Sequence, residues 1–246
     1  MTTSSFQSEP LAVRDDLLGA HRRAWERMAR PGTWWTGAER VAMAAEVRKA
    51  PACDLCRRRK AALSPNAIEG DHDTSGVLPP AVVDVIHRVR TDPGRLTRAW
   101  FNEVIASGLT DARYVEIVAV VVTVVGMDTF ARALGGSLSP LPEPMPGEPS
   151  RLRPAGATDQ GAWVPMIAPE DASGPEADLY GEARFVPNIR RALSLVPSEA
   201  RGFADLPSSH YFAIDDMMDL TRQRAITRPQ IELLAARVSA LNQCVY

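Results

Sequence analysis

Lysine is almost missing from this chain: its 246 residues hold 2 lysines against 26 arginines, so an arginine run here reflects composition before function. Cysteine is scarce too. Three is too few and an odd number for a disulfide framework, and it suits a reducing compartment where thiols stay available for chemistry. A net charge of -2 gives no field to gather a polyanion, and the single basic run lacks interleaved aromatics, which argues against nucleic-acid binding. The opening MTTSSFQSEP has neither a basic leader nor an apolar stretch of signal-peptide length. The longest apolar run, IVAVVVTVVGM at 117 to 127, is too short to span a bilayer and is bracketed by Glu116 and Asp128. The expectation is a cytoplasmic protein that engages no membrane. Clean alternation of apolar and polar residues is also lacking, so no strand is expected.

What is present is helical. Leu17, Leu18, His21, Trp25 and Met28 recur at helical spacing, and TGAE at Thr36 to Glu39 has the form of a capping box that starts a helix ending before Pro51. A third helix begins near Cys53, Pro80 opens a fourth, and Thr97 to Ser107 forms another. Thr110 and Asp111 cap YVEIVAVVVTVVGMDTFARAL, whose valines favour a strand but whose length favours a buried helix. Thr227 and Gln230 form a second capping box before a helix with Ile231, Leu234, Ala235, Val238 and Leu241 on one face. Between Ser139 and Pro154 lie six of the twenty prolines, which forbid helix and central strand. The sequence therefore predicts an all-α protein with an N-terminal half at 1-138, a Pro-rich linker at 139-154 and a C-terminal half at 155-246.

The stretch PACDLCRRRK sets Cys53 and Cys56 three residues apart, close enough on one helical turn to bond to each other or to share a metal ion. Pro51 places both in the first turn of a new helix, where unpaired N–H groups favour a thiolate, and the cations at 57 to 60 add to that effect. An oxidised sulfur with a second thiol beside it condenses to a disulfide.

Three segments share a plan of Thr cap, early glutamate, apolar run and a polar or thiol end: TGAERVAMAAEVRKAPAC, TDARYVEIVAVVVTVVGMD and TRPQIELLAARVSALNQC. Glu116 precedes Asp128 by twelve residues and Glu232 precedes Cys244 by twelve, whereas Glu39 and Glu46 stand fourteen and seven before Cys53. The last segment, IELLAARVSALNQC, resembles the active-site entry of the alkylhydroperoxidase D-like superfamily, which includes the carboxymuconolactone decarboxylase family. GTWWTGAERVAMAAE, CDLCRRRKAALSP, TDPGRLTRAW and YVEIVAVVVTVVGMDTFARALG resemble a large-subunit subgroup of it, so that the likeness runs over residues 20 to 246.

The resemblance implies an all-helical, homo-oligomeric protein without a cofactor or resident metal, which reduces a hydroperoxide with a cysteine pair recycled by a dithiol reductant partner. It makes Cys53 and Cys56 a redox pair with Glu46 or Glu39 as relay. It also matches Glu232 to the relay glutamate and Cys244 to the first cysteine of a second site, which lacks its second thiol and histidine because the sequence stops at Tyr246. The relay demands that the chain turn back, since twelve residues of straight helix span about 18 Å. Lys60 stands where the family has its histidine after Cys56, leaving His72 or His87 to serve through the fold. Read from its residues alone, His87 is a packing histidine and His72 a solvated loop residue. Other readings stay open at this point: a zinc site of Cys53, Cys56, His72 and His87, an acid-base enzyme using Glu116 and Asp128, or a helical scaffold with buried thiols.

Overall fold

Each expected helix is present in the computed structural model, which describes residues 12–181, 186–213, 216, 217, 219–242 and 244. In chain order they are α1 (Asp15–Ala29), α2 (Gly37–Lys49), α3 (Asp54–Ala61), α4 (Pro80–Thr91), α5 (Arg98–Ala106), α6 (Asp111–Ala133), the short α7 (Asn188–Arg191), α8 (Pro197–His210) and α9 (Arg228–Leu241). The Thr36–Glu39 and Thr227–Gln230 capping boxes both close, and the Thr97 and Thr110 hydroxyls accept from the backbone N–H groups of Trp100 and Arg113. The protein is mostly helical. One departure from the sequence reading is a minimal antiparallel pair, β1 (Ala157–Thr158) with β2 (Met166–Ile167), too short to show an alternation.

Helix α6 is the axis of the core. Its residues Val115, Ile117, Val120, Val121 and Val124 are buried against α2, α4 and α8, so tertiary burial outweighs the strand preference of valine. The apolar run at 117 to 127 is the middle of this 23-residue helix, which is long and apolar enough to cross a membrane by length and composition, yet half of its most apolar window is buried inside the protein. The two acids that bracket this run are paired. Asp128 takes a two-pronged contact from Arg48 at 2.7 and 2.9 Å, and Glu116 accepts from Arg40 Nη1 at 2.6 Å and from the Trp34 N–H at 2.7 Å.

The proline-rich stretch carries no helix or strand and lies along the loop between α1 and α2, where Met145, Ser150 and Arg151 N–H groups bond the carbonyls of Ala29, Gly32 and Thr33. Helix α8 then packs on α1 and α6, fastened by Arg23 and Arg27 to Asp205. Helix α9 behaves differently from its expected apolar face: Leu234, Val238 and Leu241 are exposed, and the helix is tied down at its first turn by Arg228, which stacks 4.4 Å over Phe212 and bonds the Met217 carbonyl.

Arg40 gives a single nitrogen to two carboxylates, Glu116 and Glu199, each at 2.6 Å. One cation between two acids in a site where Glu116 is 0 % exposed leaves a proton to be held, and burial pushes the Glu116 carboxyl up to about 7 against the opposing pull of Arg40, with the Glu199 charge adding to the rise. The folded state thus binds more protons than the unfolded chain from the ordinary 4.5 up to about 7, so this group's contribution to stability declines as pH rises through that window and is flat above it. We expect wild type to lose a few kcal/mol of stability relative to Glu116→Gln between pH 5 and 8, read from urea midpoints at each pH. A difference independent of pH contradicts this.

Candidate functional site: a buried Cys–His cluster

Helix α2 must stop at Pro51, and the 3-10 turn Ala50–Ala52 swings the chain into α3. Cys53 becomes the residue before α3 and Cys56 the third residue within it, so their side chains lie on the same turn. The loop after α3 folds back over this turn: the Asp73 N–H donates to Cys53 Sγ at 3.4 Å, and the Asp54 N–H at the start of α3 donates to the Asp73 carboxylate at 2.8 Å. This brings in His72, while α4 supplies His87 and Asp84.

Four ligand-bearing atoms, the two sulfurs and one nitrogen from each histidine, lie within 4.8 Å of one another. His72 Nδ1 stands 3.6 Å from Cys53 Sγ and 3.5 Å from Cys56 Sγ, and His87 Nδ1 stands 3.2 Å from Cys56 Sγ. Each ring turns its other nitrogen to a carboxylate. His87 Nε2 donates to Glu46 Oε1 at 2.9 Å, and His72 Nε2 donates to Asp84 Oδ1 at 3.0 Å.

Both acids are held in turn. Glu46 Oε2 accepts from the Thr74 hydroxyl and from the N–H and hydroxyl of Ser75, while Asp84 receives Arg59, Arg88 and the Trp100 indole N–H. Burial pushes the Glu46 carboxyl up, but the donated hydrogen bonds from His87, Ser75 and Thr74 outweigh it and leave it below the ordinary range. Asp84 is lowered in the same way, burial losing to His72, Trp100 and Arg88. His87 is lowered, by burial first and by the charge of its neighbour His72. His72 rises to about 10, because bonds to Asp84, Cys56 and Cys53 overcome its burial. Burial raises the Cys53 thiol, yet the backbone N–H groups of Cys56 and Asp73 together with His72 bring it below its usual value.

Cys53, Cys56 and Glu46 thus meet in one place, joined by both histidines. His72 is no solvated loop residue, and His87 bridges Cys56 to Glu46 instead of merely packing. Their sequence separations hid this, because the partners come from two helices and a loop. Asp84, the one member with no sequence signal, sits among valines in PAVVDVIH, where a lone acid on an apolar stretch of helix is the trace it leaves.

The other expected residues lie elsewhere. Glu39 spends its carboxylate on the Thr36 cap. Glu232 accepts from the Tyr211 hydroxyl at 2.5 Å and from Arg228 at 2.6 Å, whereas Cys244 follows the end of α9, exposed, with its N–H on the Ser239 carbonyl. The helical turn back that would bring Glu232 to Cys244 falls on residues outside those described. Of the cations at 57 to 60, none bonds a sulfur: Arg57 and Arg58 pair with Asp54 and Arg59 with Asp84, while Arg57 and the exposed Lys60 border the same cleft as Cys56. Glu116 and Asp128 serve ion pairs within the core.

Access is one-sided. Cys53 is 0 % exposed, but Cys56, at 4 %, lies in the wall of a cleft of about 140 Å³ whose other walls are Pro51, Arg57, Lys60, Arg90 and Thr91. No family model, curated protein or solved structure matches this chain.

Proposed function

We propose that the protein is a thiol-dependent peroxidase in which Cys56 attacks a hydroperoxide and Cys53 resolves the product. The observation that supports this most is the line Glu46–His87–Cys56. Glu46 fixes the proton of His87 on Nε2, so Nδ1 at 3.2 Å is left to take the Cys56 proton, and the carboxylate stabilises the imidazolium that results. It is the sulfur–imidazole–carboxylate relay that the resemblance to the alkylhydroperoxidase D-like superfamily calls for, with His87 replacing the histidine that Lys60 displaces.

In the first step the Cys56 thiolate bonds to one peroxide oxygen, the O–O bond breaks, and the departing alkoxide leaves as an alcohol with the proton held by His87. Cys56 is then a sulfenic acid. The Cys53 sulfur attacks it and expels water, giving a Cys53–Cys56 disulfide. A dithiol reductant supplies the two electrons that reopen the bond. Cys53, wholly enclosed, is suited to the second role and not to the first.

The cationic cleft beside Cys56 points to the substrate class. Arg57, Lys60 and Arg90 attract hydroperoxides that also carry a carboxylate. One equivalent of such a peroxide is expected to remove two thiols from the reduced protein. An acidic hydroperoxide should react several-fold faster than a neutral one of equal size, and Arg90→Glu should reverse that order. Thiol counts unchanged by hydroperoxide refute the reading.

A further inference from the structure

The same four atoms satisfy a second chemistry. A zinc ion with bonds of about 2.3 Å to sulfur and 2.0–2.1 Å to nitrogen at tetrahedral angles separates sulfur from nitrogen by about 3.5 Å. Three of the four sulfur–nitrogen edges here are 3.6, 3.5 and 3.2 Å, and all four atoms lie within 4.8 Å of one another. Two cysteines and two histidines form the donor set that prefers zinc over the harder divalent ions. Both imidazoles present Nδ1 inward and give Nε2–H to a carboxylate, Glu46 or Asp84, the outer partner that fixes tautomer and orientation in a zinc-bound histidine. Each of those carboxylates is itself held by several donors, which a redox dithiol alone does not require twice over. Two thiolates and a divalent ion also sum to zero charge, which suits a cluster in which Cys53 and His87 are 0 % exposed.

We infer that Cys53, Cys56, His72 and His87 form a zinc site that shares its sulfurs with the dithiol reaction, so that zinc and the disulfide exclude each other. The closed set of four protein ligands makes the ion a structural one and shields both sulfurs. Hydroperoxide that reaches Cys56 oxidises the pair and sets the ion free. The bound thiolates, one hydroperoxide and two protons give a disulfide, an alcohol, water and a zinc ion. This release step rests on the peroxidase reading of the cluster, whereas zinc binding stands without it.

The test uses the reduced full-length chain, stripped of metal and titrated with zinc in competition with a chromophoric chelator. One ion per chain is expected to be retained, with affinity falling at least 100-fold in Cys56→Ser and His72→Ala and 10- to 100-fold in Asp84→Asn. Cobalt in place of zinc gives the intense visible bands of a tetrahedral thiolate site in the wild type, a readout that needs no variant to fold. One equivalent of hydroperoxide should then deliver one ion to the chelator. No retained ion, or a cobalt spectrum without thiolate bands, overturns the site. A retained ion that hydroperoxide does not release overturns the exclusion. Thiol loss in the metal-free protein is counted separately, so a failed zinc site and a failed peroxidase give different results.

Discussion

Cys56→Ser is expected to abolish the hydroperoxide consumption proposed for the reduced, metal-free protein, and His87→Asn to lower its single-turnover rate by about 10²- to 10⁴-fold, the range of a positioned general acid-base group. The argument is geometric. Cys56 is the sulfur that borders the cleft, and His87 is the base within reach of it at 3.2 Å. Glu46→Gln keeps the shape but removes the charge that orients His87, so it is expected to fall between these variants and wild type. Cys53→Ser separates the two steps. It is expected to leave the first attack intact and to stop at the sulfenic acid, which a dimedone-type probe should capture, giving a single turnover but no cycling with a dithiol. Cys244→Ser is expected to leave thiol loss at the cluster unchanged, because Cys244 lies beyond α9 and outside it. Far-ultraviolet circular dichroism excludes unfolding as the cause, and wild-type rates in Cys56→Ser end the proposal.

The helices were legible because their signals are local. Capping boxes at Thr36 and Thr227 and prolines at 51 and 80 mark boundaries that depend on a few adjacent residues. The thiols were legible for the same reason, their spacing being fixed by one helical turn. The histidines were not. His72 and His87 are fifteen residues apart, and what joins them is the crossing of a loop over α3 beside α4, with the rings 4.3 Å apart in space. Glu46 was readable as a glutamate near the cysteines, and the Thr36 capping box already claimed Glu39, but the hold of the Ser75 turn on Glu46 was not readable. Charge misled in the other direction. RRRK beside CDLC invited a thiolate held by cations, yet a helix turns successive residues through 100°, and the arginines are met first by Asp54 and Asp84. The apolar stripe of α9 shows the limit of periodicity: the pattern sets the helix, while only a partner decides which face is buried.

Gly32→Ala is expected to cost 3–5 kcal/mol, about what is lost when a buried ion pair is broken from one side, and a large share of a typical total stability. A methyl carbon built on Gly32 stands 1.8 Å from Glu116 Oε1 and 2.4 Å from Arg40 Nη1, so the pair must separate. Glu116 has the less room to move: it is 0 % exposed and lies outside the cleft of about 280 Å³ that Gly32, Arg40 and Glu199 line. The backbone cannot yield cheaply either, since the Gly32 N–H bonds the Trp35 carbonyl at 2.8 Å and its own carbonyl receives Ser150. In a chain of this size the loss corresponds to a fall in melting temperature of about 10 °C. The mechanism makes a further demand. In an Arg40→Met, Glu116→Leu background the atoms that clash are gone, and adding Gly32→Ala should cost much less than in wild type, a coupling that a double-mutant cycle reads directly. Equal costs in both backgrounds, or a Gly32→Ala protein that melts with the wild type, contradict it. Because α2 carries Arg40 at one end and Glu46 at the other, the displaced helix is also expected to slow the first turnover at Cys56.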